Sequence, residues 1–365
     1  DALSRGLRCF ADALTMSDPA VPESAGFDLF GEPIAPAPGC GAHRRAEKSA
    51  RVAAATAATE FTSLAAQLPA RLRMGTSTWS FSGWHGLVYA DEYDESTLAR
   101  QGLSAYAAHP LLRSVGVDRS YYRPLDTDTL SRLRKAVSAD FRFLLKAHAA
   151  LMLPKSARRP VYLEGVPDVF LDADHAIRHV IDPARRVLGE TLGVVLFQFS
   201  PLGSRVLGYR RELLQRLYEF LRVLPAGVNY AIEWRDPEML GPDYQQMLHA
   251  CGAVHGYAQH PRMPPVDAQG DISAALASST SGPLVIRWLL APGRSYEAAK
   301  AAYAPFDQLV DPDPVARQNI FGLARRALAA GRDVTIIVNN KAEGSAPQSI
   351  VELAREFAAP ETSLG

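Results

Sequence analysis

Eight short runs rich in β-branched and aromatic residues recur along the chain, at 72–77, 114–120, 141–148, 193–199, 228–235, 252–258, 284–289 and 334–339. Stretches with helical composition and spacing separate most of them, at 95–108, 126–138, 172–190, 209–223, 244–250 and 314–330, and a last one at 346–357 closes the chain. Strands alternating with helices must lie parallel, since each crossover returns the chain to the same edge. Eight such units with a final helix predict an α/β fold of one kind, a (β/α)8 TIM barrel. An open doubly wound sheet is the competing reading, and no Gly-rich dinucleotide turn follows any of the runs. The connection from the sixth run to the seventh, around 271–279, offers only a weak helix.

Residues 1–72 differ from the remainder. Pro and Gly crowd 18–41, as in loops and linkers, and 44–68 is Ala-rich with apolar residues scattered among Arg, Lys and Glu, which predicts a helix. The expected organisation is an N-terminal Pro/Gly- and Ala-rich extension over 1–72 and a barrel domain over 73–365. Between Ala42 and Arg73 six basic residues face two acidic ones. This is either a nucleic-acid arm or a solvated helix packed against the barrel, and the second is favoured. Lys+Arg and Asp+Glu are equal at 39 each, so no global field draws the chain to nucleic acid or a membrane. Cys9, Cys40 and Cys251 are far apart and lack metal-type spacing, so they read as reduced thiols of a cytoplasmic protein. No apolar run reaches the roughly 18 residues of a membrane span, and Asp1 to Arg5 lacks an apolar signal core.

Alternation along the strands then separates two faces. In the fifth run Val228, Tyr230, Ile232 and Trp234 share one side, while Asn229, Ala231, Glu233 and Arg235 share the other. The third run sets Leu144, Lys146 and His148 opposite Phe141, Phe143 and Leu145. Gln198, Arg287, Asn339 and Asp118 likewise stand opposite apolar neighbours near the C-terminal ends of their runs. If the bulky faces meet the helices, three cations (Lys146, Arg235, Arg287) and two carboxylates (Asp118, Glu233) converge at the barrel mouth. Buried polar groups cost several kcal/mol unless bonded, so such a set needs a purpose. It suits an anionic ligand, phosphate or carboxylate, held beside a carboxylate acting as base. Glu233, Lys146 and Asp118 are the candidate catalytic groups. Arg235, Arg287, Gln198, Asn339 and His148 are candidate binding groups, and Trp79, in the loop after the first strand, could stack a ring. A structural Lys146 ion pair with Glu233 or Asp118 is the plainer alternative.

Other chemistries fit less well. A metal-dependent nuclease or isomerase could draw ligands from Asp118, His148, Glu233, His255 and His260, but no tight ligand motif occurs and Lys146 and Arg235 would oppose a cation. A Schiff-base role for Lys146 is weakened by the two carboxylates that hold it charged. No nucleophile elbow, P-loop or cofactor fingerprint is present, so no cofactor is expected. A non-enzymatic binding module, recruiting nucleic acid or a partner through the basic arm, is the remaining class. The loop 341–345 could bind phosphate ahead of a helix N-terminus.

Six ordered segments carry a resemblance: Gly75-Thr76-Ser77-Thr78-Trp79 with Trp84, Gly86 and Tyr89; Val117 to Pro124; Phe141-Arg142-Phe143 with Lys146; Leu196 to Pro201; Ala231 to Arg235; and Asn339-Asn340 with Gly344. Over about 74–357 the chain resembles the YecE-like proteins, the domain of unknown function 72, which adopt a TIM-barrel fold. The resemblance supports the barrel and adds Tyr122 and Asn340 to the binding candidates, but names no reaction. After the seventh strand that family commonly has Arg-Leu-His-Gly. Here Arg287-Trp288-Leu289-Leu290 keeps the Arg and lacks the His.

Overall fold

A computed structural model describes residues 51–154, 163–269 and 282–359. Eight parallel strands close into a barrel in sequential order: β1 (Leu72–Thr76), β2 (Ser114–Val117), β3 (Arg142–Lys146), β4 (Leu192–Gln198), β5 (Tyr230–Glu233), β6 (Val254–Gln259), β7 (Leu284–Trp288) and β8 (Val334–Val338). β1 pairs with β8 through five residues, which seals the ring. Helices follow the strands, several of them started by an acidic cap: Asp94, Asp126 and Asp313 each accept the amide proton three residues on. The expected (β/α)8 architecture is the one observed.

The alternation has a direct physical consequence. Leu144, Val194, Leu196, Ala231, Val254, Val285 and Ile337 form a separate apolar cluster inside the barrel. Phe143, Leu145, Phe197, Phe199, Ile232, Trp234, Ile286, Trp288 and Ile336 belong to the larger core between sheet and helices. Trp234 is fully buried and stacks on Phe199 with ring centroids 4.2 Å apart. Burying one such side chain stabilises the fold by roughly 1.5–3 kcal/mol. The inward residues that follow the apolar plug, Lys146, Gln198, Glu233 and Arg287, are therefore carried to the C-terminal mouth.

Three local departures from the sequence reading have identifiable causes. The second run ends as a strand at Val117, and Asp118–Tyr121 is a 3-10 turn. The Ser120 hydroxyl lies 2.6 Å from the carbonyl oxygens of both Val117 and Lys146, so it ties the turn to β3 instead of facing the lumen. The helix expected over 172–190 contains a π-turn at Ile177–Ile181 just before Pro183, which has no N–H to continue an α-helical ladder. Of the helix expected over 44–68, the described part, from Arg51 on, is helical at Thr59–Gln67. Before it, the Ala53 and Ala55 amides donate to the Tyr93 hydroxyl and the Val88 carbonyl, and Ala54 forms a bridge with Tyr89. That extended segment, with Val52 buried, is stitched onto the barrel, and Arg355 reaches Glu60 from the closing helix Ala346–Ala358. The earlier part of the extension and the weak helix around 271–279 lie outside the described residues. Among the described residues no helix is long and apolar enough to cross a membrane.

Candidate functional site

At the mouth, Glu233 is fully buried and is the centre of a charged network. Arg287 Nη1 donates to both its oxygens, at 3.0 and 3.3 Å, and Arg235 Nη2 lies 2.5 Å from Oε1. The register explains why Gln198 joins them. Gln198 pairs with Glu233 across β4 and β5, and its Oε1 accepts from the same Arg287 nitrogen at 3.1 Å. The other arm of Arg287 reaches Asp118 at 3.4 Å. Asp118 also faces Lys146, whose Nζ is 3.8 Å from its Oδ1 and 4.1 Å from the centroid of the Tyr121 ring. The five charged groups expected at the mouth do converge, linked through Arg287 and Asp118.

The electrostatics follow from burial and company. Burial alone would raise the Glu233 carboxyl, but the Arg235 and Arg287 guanidiniums, with Lys146 beyond, outweigh it and hold the group below the usual carboxylate range. Lys146 shows the opposite balance. Burial pulls its ammonium down to about 8, and the favourable field of Asp118 only partly offsets that loss while Arg287 adds to it. Three cations against two carboxylates leave the ring one positive charge in surplus. Most of the ring is sealed: Lys146, Arg235 and Arg287 are buried, whereas the Asp118 side chain keeps 23% exposure. Asp118 is the edge at which the network meets solvent.

A cavity of about 130 Å³ opens beside that edge, lined among others by Ser77, Thr78, Trp79, Asp118, Phe306 and Asn339. Gly116 also lines it, and a Cβ there would approach the Ser77 carbonyl oxygen to 3.1 Å, so a side chain at 116 would crowd the β1 edge of the lumen. Trp79 is pinned by its indole N–H, which donates to the Leu98 carbonyl at 3.0 Å. Asn339 turns its Oδ1 to the Lys341 amide at 3.0 Å.

Three further binding candidates lie on the segments that follow their strands. Asn340 is buried and accepts the Ala346 amide proton at 2.8 Å, which satisfies the first amide of the closing helix. His148 is buried in the turn after β3, its carbonyl accepting from Leu151. Tyr122 packs edge-on against Tyr121, 5.5 Å between centroids, and it is Tyr121 that covers Lys146. Because the strand has already ended at Val117, alternation cannot tell which tyrosine of the pair points inward. The tyrosine pair itself was a usable signal. Lys341 was also missed as an individual residue: it is buried, with Nζ 4.0 Å from the Tyr296 ring centroid and 5.5 Å from that of Phe306, both rings of the cavity wall.

The loop 341–345 spends three of its amides on the two asparagines before it. Lys341, Ala342, Gly344 and Ala346 donate to Asn339 or Asn340, and buried Glu343 is held by Arg317. The candidate metal ligands do not assemble. His255 bonds the Tyr244 hydroxyl and Gln269, His260 accepts from the Arg262 amide, and burial lowers both imidazoles to about 4. Among the described residues no group of three or more His, Cys, Asp or Glu side chains is arranged to hold a metal ion.

A family model described as "Protein of unknown function DUF72" matches residues 73–364. No curated protein matches the chain. Among solved structures, a DUF72 family protein from Enterococcus faecalis V583 is 18% identical, with 79% of this chain and 96% of its own covered and a TM-score of 0.53. A DUF72 family protein from Thermotoga maritima MSB8 is 17% identical, covering 79% and 99% respectively at a TM-score of 0.52. At this distance the likeness extends to the fold alone.

Proposed function

The chain belongs to the DUF72 family of unknown function, and from that premise we propose that its barrel mouth takes a small anionic compound, bearing phosphate or carboxylate, and moves a proton on it. The observation that carries the reading is the buried surplus of positive charge: Lys146, Arg235 and Arg287 against Glu233 and Asp118. An uncompensated charge in a low-dielectric site costs several kcal/mol, and an anion beside Lys146 and Asp118 offsets that cost.

The proton-transfer role divides between the carboxylates unequally. Glu233 has both oxygens engaged by arginines and stays ionised, which suits it to align Arg235 and Arg287 and to act as base only as a substrate displaces one of them. Lys146, with an ammonium near 8, exchanges a proton at neutral pH far more readily, and Asp118 is its partner on the solvent side. The acid–base pair favours an enzyme over a passive binding module. Gln198 and Asn339 supply neutral positioning groups, and Trp79 with Phe306 gives the cavity an aromatic wall.

The test is retention. Purified protein is incubated with a small-molecule extract and washed, and the compounds that stay bound are identified by mass spectrometry. The wild type should retain a carboxylate or phosphate compound, and Lys146→Met should retain about tenfold less, the loss of one charge-assisted contact. Retention of neutral or cationic compounds only, or equal retention by both proteins, removes the basis for the reading.

A further inference from the structure

Beyond the ring, one arginine makes no salt bridge among the described residues, although the field of Asp126 reaches it. Arg119 follows Asp118 in the turn after β2, and its guanidinium carbon lies 5.3 Å from the centroid of the Trp79 ring. Its Nε is buried and has no hydrogen-bond partner among the described residues. The aromatic face meets the charge in part but leaves that N–H unsatisfied.

The space in front of it is a cavity of about 510 Å³. Two helices frame it, Glu95–Gln101 and Thr127–Lys135, and its wall carries Arg100 and Arg132 besides Arg119, but no Asp or Glu. The acid whose field does reach Arg119 and Arg132, Asp126, is already used as a helix cap, accepting the Thr129 amide proton at 2.7 Å. Arg132 spends one nitrogen on the Thr129 hydroxyl at 2.8 Å. Burial first, and then the like charge of Arg132, push the Arg119 guanidinium down from its ordinary range. Arg100 and Arg132 are exposed and water solvates them, whereas the buried Arg119 Nε is unmet, so three arginines around one hollow with no carboxylate in its wall is an unmatched arrangement by itself. It is a matched one for a group carrying two negative charges and several acceptor oxygens.

We infer that Arg119, Arg132 and Arg100 form a second anion site that takes a phosphoryl group, with Trp79 holding Arg119 from behind. Trp79 and Arg119 also line the 130 Å³ mouth cavity, so the two spaces share a wall. Leu103 and Leu133 give the arginine cavity an apolar side that accommodates the organic part of a phosphate monoester. The site stands on its own residues and needs none of the mouth ring.

The experiment is calorimetric titration of the full chain at constant ionic strength with inorganic phosphate and, separately, with phenyl phosphate. Lys146→Met serves as background, since it removes binding that depends on the mouth ring. A saturable event with at least one probe should remain in Lys146→Met and weaken about tenfold or more when Arg119→Met is added. Arg132→Gln, an exposed position, should weaken it by a smaller factor and keeps the test open if Arg119→Met fails to fold. Response to both probes assigns the site to the free anion as well as the ester, and response to phenyl phosphate alone assigns it to the ester. The inference is overturned if Lys146→Met shows no saturable event with either probe, or if the event persists unchanged after both arginine substitutions.

Discussion

Both ends of the barrel interior carry arginines and carboxylates, yet the two ends behave as different materials. At the closed end Arg73 pairs with Asp140 at 2.9 Å and lies 4.0 Å from Asp333, but those acids keep 55% and 58% of their side chains exposed. The recess there holds about 670 Å³ and also takes in Arg142, which donates to the carbonyls of Ala139 and Phe141. Water screens every one of these pairs. At the mouth the Glu233 side chain is 0% exposed and that of Arg287 is 3%, so the same residue types interact with little screening. Burial, not composition, makes the mouth the place where charges depend on one another. In barrels of this kind the C-terminal face carries chemistry and the opposite face carries stability.

The contrast should be largest in stability. Glu233→Gln leaves Arg235 buried without its anion and Arg287 with Asp118 alone, and breaking a buried pair in this way costs about 3–5 kcal/mol. Urea unfolding should therefore show a clear drop in midpoint. A change under about 1 kcal/mol would mean that water reaches the ring as freely as it reaches the closed end.

A smaller effect should appear with pH. Lys146 falls from its ordinary 10.5 to about 8 in the folded protein. Between those values the unfolded chain binds a proton that the folded chain does not, so stability rises with pH through that window. The buried ammonium is a cost that is fully present below about 8 and relieved as pH climbs toward 10.5. Relative to Lys146→Met, the wild type should gain on the order of 2–3 kcal/mol across the window. Parallel unfolding curves for the two proteins would contradict the depressed ammonium.

The smallest effect belongs to the closed end. Asp140→Asn should cost less than about 1 kcal/mol, and added salt should erase even that. A loss as large as that of Glu233→Gln would dissolve the distinction between the two ends.

How much of this was legible beforehand depends on what each residue's position answers to. Glu233, Arg235, Arg287 and Gln198 were readable because a period of two within or at the end of a strand fixes the side to which each points. Asp118 was placed correctly for a partly wrong reason, since it begins a turn and does not end a strand. Where the backbone leaves the strand, the period stops informing. Tyr121 could not be told from Tyr122, Asn340 bonds the first amide of the closing helix, and His148 sits beyond the end of β3. Arg119 and the arginine cavity were invisible for another reason. They depend on two helices approaching each other across the barrel surface, a distance that no local pattern encodes. The identity of the ligand was not readable at all, because a ring of charges specifies a sign and a rough size.

The most direct measurement is the titration of Lys146 itself, followed through the ¹³Cε resonance of labelled lysine and assigned with Lys146→Met. Without added anion its midpoint should lie at about 8, and it should rise when a small carboxylate or phosphate compound is added, because a negative charge beside the ammonium favours its protonated form. A midpoint at the ordinary 10.5 that ignores every anion offered would contradict a buried, positively charged mouth built to hold one.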